Sequence, residues 1–493
     1  AREGAALMGL AYLKGGKTTE ARDVFTKLVM QMPDASRPDD YALEAVRQLD
    51  ALEKNAPLNS EADHLLRASV YQFNRDFAGA RVHYQAVLDR FPQSTTVPNA
   101  MYQIARGLYN EAKYDDAVLQ LEIALKTIHR GGLPAAPSTT ERDILGLLAS
   151  TYIRLKRIED AITFYKMLIE GYPDRPNPER AYLNIIDAFH EVGGYSEALG
   201  WVQTTRTQFK NSLGNALALF AQLRIHMAQG SWATVVRDAD ELVKFSDLGG
   251  TRVPGGTTTA EVNFLRAFAF EQLGRTEDAV AGYLSIPDGR NEYYGTRATQ
   301  RLLSLATNEK SRALVRMRLN SLLNASKVQS AAGQWEQSRA AAQASLRLTD
   351  DPQIRAEALK QVQAAYNALP AYRLPQFSKI SLLKQQPDAN NHAALADNLL
   401  FLGLYDEALP ELFATRAQTS LGNTDEDYTI AVLSLRAGIP NRAVRFGEQT
   451  WKTVPADYVI ELAPRPLVEL LYPAPFRESL IKHTSSRNVD PRF

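Results

Sequence analysis

The stretch Ala68-Ser69-Val70-Tyr71-Gln72-Phe73-Asn74-Arg75-Asp76-Phe77-Ala78-Gly79-Ala80-Arg81-Val82-His83-Tyr84-Gln85-Ala86-Val87-Leu88-Asp89-Arg90-Phe91-Pro92 decides the fold. Within it Ala68, Tyr71, Ala80, Tyr84 and Pro92 follow one another at steps of 3, 9, 4 and 8 residues. The same residue types return at the same steps as Gly9, Tyr12, Ala21, Phe25 and Pro33, and again as Ala149, Tyr152, Ala161, Tyr165 and Pro173. A fourth copy, Ala267, Phe270, Ala279, Tyr283 and Pro287, keeps the spacing until its proline arrives early. Partial copies stand at Ala105, Ala117 and Leu121, at Ala198 and Val202, and at Ala431, Ala443 and Pro455.

Each position has a mechanical reason. The small residues lie where two helices of a pair approach closely, and the aromatics fill the wedge between that pair and the next. The proline ends the second helix, because it lacks an N–H and disfavours helix in the residue before it. Short polar links such as Gly15-Gly16-Lys17-Thr18-Thr19 and Gly274-Arg275-Thr276-Glu277-Asp278 join the helices. Their threonines are expected to cap the second helix, and their acidic residues favour its positive end. The pattern is that of tetratricopeptide repeats, so the fold class is an all-α, tetratricopeptide-like α-α superhelix, a solenoid. At roughly 34 residues per unit the length allows about fourteen pairs, of which the pattern supports about ten.

Apolar residues also recur at three- and four-residue steps over Lys327 to Leu348, Leu395 to Thr415 and Tyr428 to Val454, predicting further antiparallel pairs. Loops are expected at Gly131 to Thr139 and Asp247 to Thr258, and a break at Leu369 to Pro375. The predicted organisation is therefore a superhelix over 1–368, a second helical segment over 376–455, and a linker over 456–493.

Composition excludes several functions. Lysine plus arginine equals aspartate plus glutamate, 56 against 56, which argues against a nucleic-acid partner and against a polybasic membrane face. No apolar run reaches the roughly 18–20 residues of a transmembrane span. Cysteine is absent, which removes disulfides, thiol nucleophiles and thiolate metal sites together. The seven histidines, His64, His83, His129, His190, His226, His392 and His483, form no His-x-x-x-His pair. Glu61 and His64 make one Glu-x-x-His step, where a dimetal carboxylate site needs two. Gly249, Gly250, Gly255 and Gly256 follow no apolar strand and read as a flexible loop rather than a phosphate cradle. Asp425-Glu426-Asp427 reads as stabilising the positive end of the helix that follows. No catalytic, cofactor-binding or metal-binding residue is assigned, and no cofactor is expected.

The C-terminal edge breaks the repeat. Leu470-Leu471-Tyr472-Pro473-Ala474-Pro475-Phe476 precedes a short amphipathic helix, Arg477 to Thr484, and then Asn488-Val489-Asp490-Pro491-Arg492-Phe493. This edge resembles the junction before the catalytic domain of soluble lytic transglycosylases, the murein-cleaving enzymes of the family-23 lysozyme-like type. Tyr472, Pro473, Phe476, Val489, Asp490, Pro491 and Phe493 carry the match, and the family's catalytic glutamate motif does not occur in this sequence. The resemblance implies a non-catalytic, periplasmic superhelix that positions peptidoglycan glycan strands or partners for a glutamate-dependent domain. His83 to Ser94 with Asn99 to Ala105 also resemble repeats of bacterial envelope lipoproteins. That resemblance implies an alternative, a scaffold for envelope proteins with no enzyme attached. The N-terminus, Ala1-Arg2-Glu3-Gly4, has neither a starting methionine nor a signal-peptide hydrophobic region and reads as a processed or trimmed end. Oligomeric state is left open.

Overall fold

A helix whose first residues are acidic and whose small and aromatic residues share one face can bury that face only against a second helix like itself. The computed structural model of the chain shows this solution throughout. It describes residues 2–32, 37–54, 58, 60–129, 138–377, 391–419, 424–473, 477–485, 487 and 490. Two compact units emerge: Ala1–Gly230 with Phe245–Thr257, and Ser231–Lys244 with Thr258–Phe493.

The first unit contains α1 (Arg2–Lys14), α2 (Thr18–Met30), α3 (Asp40–Leu52), α4 (Glu61–Phe73), α5 (Phe77–Arg90) and α6 (Val97–Asn110). It continues with α7 (Tyr114–His129), α8 (Ser138–Arg154), α9 (Ile158–Gly171), α10 (Glu179–Glu191), α11 (Tyr195–Gln208) and α12 (Leu213–Ala228). Helices α1/α2, α4/α5, α6/α7, α8/α9 and α10/α11 form antiparallel hairpins; α3 lies between the first two, and from α4/α5 onward each stacks on the next. The buried cores of successive pairs both draw residues from α6 and α7, and Leu88 packs against both, so burial passes from neighbour to neighbour as in a repeat array.

The second unit contains α13 (Trp232–Leu242), α14 (Thr259–Gln272), α15 (Thr276–Ser285), α16 (Tyr293–Thr307), α17 (Arg312–Ala331), α18 (Trp335–Leu346) and α19 (Pro352–Ala368). After these come α20 (His392–Phe401), α21 (Tyr405–Thr419), α22 (Thr424–Arg436), α23 (Pro440–Thr453), α24 (Arg465–Leu471) and α25 (Arg477–Ser485). Its hairpins are α14/α15, α17/α18, α20/α21 and α22/α23. The three pairs expected from Lys327 to Val454 are all present, and α17 begins fifteen residues before the expected Lys327. The break at Leu369 to Pro375 lies inside this unit, where Tyr372 is buried and stacks on Tyr366 with ring centroids 4.5 Å apart. Among the described residues no strand forms, and the chain is an all-α, tetratricopeptide-like solenoid.

The repeat positions do what their chemistry requires. Ala21, Ala68, Ala80, Ala149, Ala161, Ala267 and Ala279 are essentially without solvent exposure, and Phe25, Tyr71, Tyr84, Tyr152, Tyr165, Phe270 and Tyr283 are buried beside them. At Gly9 a Cβ would stand 2.5 Å from the ring of Phe25, so only glycine lets that ring lie against α1. Helices α5, α9 and α15 each end two residues before Pro92, Pro173 and Pro287. Pro33 lies outside the described residues.

One turn closes the hairpins. Four residues after the aromatic position the chain turns left-handed, at Gly16, Arg75, Ala112, Lys156, Gly193, Gly274, Gly333, Gly403 and Gly438. The next N–H then reaches back to the carbonyl five residues earlier, as from Lys17 to Tyr12, Asp76 to Tyr71, Arg157 to Tyr152 and Arg275 to Phe270, each at 2.9 Å. This arrangement satisfies carbonyls that a helix end would leave orphaned. It also displaces the expected threonine caps. The N-cap residues are Lys17 and Arg275, with no side-chain cap, and Thr18 and Thr276 are the first helical residues. The acidic residues do fall in the first turn, and Arg275 Nε donates to Asp278 at 2.8 Å.

Several other helix ends are closed by arginine. Arg2 donates to the carbonyls of Leu28 and Gln31, Arg355 to those of Leu346 and Thr349, and Arg347 to those of Tyr283, Leu284, Ile286 and Gly295. A guanidinium suits the negative C-terminal end of a helix both in charge and in donor number. The left-handed turn yields a direct expectation. Gly274→Val, with a β-branched residue at φ 71°, should lower stability by about 1–2 kcal/mol in urea unfolding, whereas Lys156→Gly should not lower it.

Candidate functional site

Among the described residues each unit holds a cavity lined by polar side chains. The first holds about 420 Å³ and is lined from α6 by Tyr102, from α8 by Arg142, Asp143, Gly146 and Ser150, and from α10 by Arg180 and Asn184. Four-residue steps from Arg142 to Gly146 to Ser150, and from Arg180 to Asn184, place these residues on one side of their helices. Tyr165 of α9 forms the floor, accepting from Asn184 Nδ2 at 3.0 Å. Its phenol and that of Tyr102 are held above the ordinary tyrosine pKa by burial. Asn177, at φ 52°, turns the chain at the groove's edge, a conformation asparagine tolerates better than most residues.

The cations here differ in how many donors remain. Arg175 is spent on structure, donating to the carbonyls of Leu168, Tyr172 and Pro178 at 3.1, 2.9 and 2.5 Å. Arg142 uses Nε and Nη2 on Asp143 and keeps Nη1. Arg180 uses Nη1 on the carbonyl of Pro254 at 3.2 Å and keeps Nε and Nη2. A Cβ built at Gly146 meets nothing within 4 Å, so the groove is open at its centre. The result is a half-buried trough with guanidinium and amide donors along its walls and aromatic rings at its base.

The second cavity, about 680 Å³, lies in the other unit beside the segment 454–463, with Arg290, Arg339, Arg347 and Arg355 in its wall. Here the arginines are already committed. Arg290 donates to the carbonyls of Trp451, Val454 and Pro455, Arg355 also pairs with Glu461, and Arg339 pairs with Asp457. Asp457 further accepts from Tyr372 Oη at 2.9 Å, and its carbonyl accepts from Gln343 Nε2 at 2.7 Å. Tyr458 stacks on Tyr366, whose phenol burial pushes up to about 12. These groups fasten the segment 454–463 onto α18 and α19, so the cavity is a by-product of that docking.

The histidines expected to be scattered are partly brought together. His64 and His83, nineteen residues apart, meet in the first unit with Nδ1 atoms 3.1 Å apart. Asp50 stands 3.1 Å from His83 Nε2 and accepts from Tyr71 Oη at 2.6 Å, while Arg67 pairs with Asp50 and Glu53. A carboxylate can only accept, so His83 directs an Nε2–H at Asp50. His64 Nε2 lies 3.4 Å from Arg90 Nη1. Burial and the neighbouring charges of His83 and Arg90 hold His64 below the usual histidine range. Burial raises the Asp50 carboxyl, but bonds from His83 and Tyr71 outweigh it and keep it low. The cluster is a hydrogen-bonded lock between α3, α4 and α5.

Glu61 does not join His64. Its carboxylate accepts from Ser94 at 2.5 Å and from Thr96, and those bonds lower its pKa. His129 pairs with Glu141 and His392 with Glu411, and among the described residues no group of three metal-ligating side chains forms. The glycines at 249–256 lie in a hydrogen-bonded loop, where Gly250 N donates to Thr257 O at 3.0 Å and Thr257 N to Leu248 O at 2.9 Å. That loop is held by its own backbone rather than being flexible, because glycines permit the close approach. The run Asp425 to Asp427 falls in the first turn of α22, and Asp425 accepts from Gln376 N at 2.8 Å. At the C-terminal edge Tyr472 is exposed and α25 spans Arg477–Ser485; Phe476, Val489, Pro491 and Phe493 lie outside the described residues.

The tetratricopeptide repeat family profile matches residues 7–34, 64–94 and 147–175, which are α1/α2, α4/α5 and α8/α9. Among solved structures, a tetratricopeptide repeat protein from Parabacteroides merdae is 14% identical, covering 62% of this chain and 98% of its own, with a TM-score of 0.34. The apo form of RapI is 8% identical over 74% of this chain and 97% of its own, at 0.39. The TPR2AB domain of yeast Sti1, in complex with pHSP90, is 15% identical over 62% and 98%, at 0.24. No curated protein sequence matches the chain. The helical architecture is that of a repeat scaffold suited to protein–protein interaction.

The histidine lock has a signature in solution. The folded chain resists a proton at His64 that the unfolded chain accepts near 6.5, so this stability is whole above that pH and declines as pH falls below it. Thermal unfolding followed from pH 8 to about 5 should show this decline, and His64→Gln should flatten it in that window.

Proposed function

We propose that the chain is a tetratricopeptide scaffold that holds an extended segment of a partner protein in the α6–α8–α10 groove. The observation that supports the reading most directly is the donor balance there. Arg142 and Arg180 keep free N–H groups and Gly146 leaves the trough open, whereas the arginines of the other cavity are consumed by the fold. A partner segment would lay its backbone along Tyr102 and Tyr165 and offer acceptors to the guanidinium groups and to Asn184. Main-chain recognition of this kind needs a rigid frame, which the stacked hairpins supply.

Gly146→Leu tests this without disturbing the fold. The leucine side chain enters empty space, and replacing glycine within a helix should raise stability by roughly 0.5–1 kcal/mol. Binding to a peptide array should be lost together with that of Arg180→Ala. Retention of every array signal by Gly146→Leu at an unchanged or higher Tm removes the groove from the function.

A role beside peptidoglycan in the bacterial envelope rests on the residue match at 472–493. Its test is co-sedimentation of the chain with insoluble peptidoglycan, and a chain left wholly in the supernatant ends that reading.

A further inference from the structure

The segment 454–463 leaves the α22/α23 hairpin and returns to it. Val454 follows α23 directly, and α24, which comes next, places Leu467 and Leu470 in one core with Ala431 of α22 and Ala443 of α23. Both ends are anchored on that core, and the residues between them form a loop laid against α18 and α19. Pro455 to Tyr458 make a tight turn in it, with the N–H of Tyr458 donating to the carbonyl of Pro455 at 3.0 Å.

This turn is held group by group. Arg290 N donates to the carbonyl of Ala456 at 2.9 Å, and its guanidinium to those of Val454 and Pro455 at 2.7 and 3.3 Å. Gln343 Nε2 takes the carbonyl of Asp457, and Tyr366 Oη accepts from Val459 N at 3.0 Å. The Asp457 carboxylate meets Arg339 and Tyr372 Oη, and the ring of Tyr458 stacks on Tyr366 with centroids 4.5 Å apart. A Cβ at Gly289 would stand 2.8 Å from Ala456 O, so glycine there lets the two backbones meet. The helix pairs are joined by interlocking apolar side chains, whereas here carbonyls, an N–H, a carboxylate and one ring are met at once. That is how a groove recognises a peptide. About 680 Å³ stays open beside the turn, so the loop does not fill the groove it occupies.

We infer that the groove between Gly289, α18 and α19 is a recognition site for a Pro-x-Asp-Tyr turn, filled in this chain by its own residues 454–459 as an internal ligand. A partner protein that presents the same turn competes for it: its aspartate takes Arg339 and Tyr372, its aromatic ring takes Tyr366, and its carbonyls take Arg290 and Gln343. The chain's own loop then withdraws while its ends stay on the α22/α23/α24 core. The site belongs to the second unit and is separate from the groove lined by Arg142 and Arg180.

The test uses the full chain and a fluorescein-labelled peptide of residues 453–461, Thr-Val-Pro-Ala-Asp-Tyr-Val-Ile-Glu. In the unsubstituted chain the tethered turn competes at an effective concentration on the order of millimolar, so fluorescence anisotropy should show weak binding. Asp457→Ala with Tyr458→Ala loosens the chain's own turn and should strengthen peptide binding about tenfold or more. Adding Arg339→Ala to that variant, or replacing the peptide's aspartate by asparagine, should weaken it again by about the same factor. A second measurement keeps the native turn and decides the matter if circular dichroism shows the loosened chain unfolded. Val454→Cys puts one thiol at a buried position in a chain that has no other. Its alkylation should speed up as unlabelled peptide is added and should not respond to the asparagine peptide. A folded, loosened chain that binds the peptide no better than the parent overturns the inference, as does an alkylation rate indifferent to peptide. Either result makes the segment a permanent part of the core.

Discussion

The left-handed residue that closes each hairpin is the constraint on which the rest depends. Once Gly16, Arg75, Lys156, Gly274 and their counterparts turn the chain, the following N–H must bond the carbonyl five residues back, and the second helix leaves in one direction. That direction buries Ala68 with Ala80, and Ala149 with Ala161, in one core where each has essentially no solvent exposure. Arg75, Ala112 and Lys156 accept a conformation that costs a non-glycine residue roughly 1–2 kcal/mol. They persist because the pairs they join bury whole aromatic rings on either side.

The arginines express a division between building and binding. A guanidinium at the C-terminal end of a helix satisfies carbonyls no backbone donor can reach, and Arg2, Arg175, Arg290, Arg347 and Arg355 are all used this way. Such a group has little left for a ligand, however prominent it is in a cavity wall. Counting donors therefore distinguishes the groove of Arg142 and Arg180 from the larger cavity beside Asp457, where size alone would have favoured the second.

Much of the fold was legible because the repeat is local. Steps of 3, 9, 4 and 8 residues are consequences of helix geometry and turn length, and they appear in the sequence whether or not neighbours are known. The helix pairs, the proline stops and the acidic first turn of α22 follow from such short-range rules. The threonine caps failed because a capping side chain competes with the turn's own backbone bond, and the backbone bond was already made. The glycine loop at 249–256 was misread as flexible because its hydrogen bonds join residues that composition alone does not pair.

The sequence by itself determined that this chain is an array of helix pairs, since small, aromatic and proline positions repeat at distances a single hairpin spans. Only the tertiary structure decided which polar groups meet. His64 and His83 lie on facing helices of one hairpin, and the partner that orders them, Asp50, comes from the helix before. Tyr102, Arg142 and Asn184 reach one trough from three helices spread over more than eighty residues. Which guanidinium is spent and which is free depends on carbonyls at distant helix ends. No periodicity encodes that distance, because it is set by how pairs stack rather than by how any one pair is built.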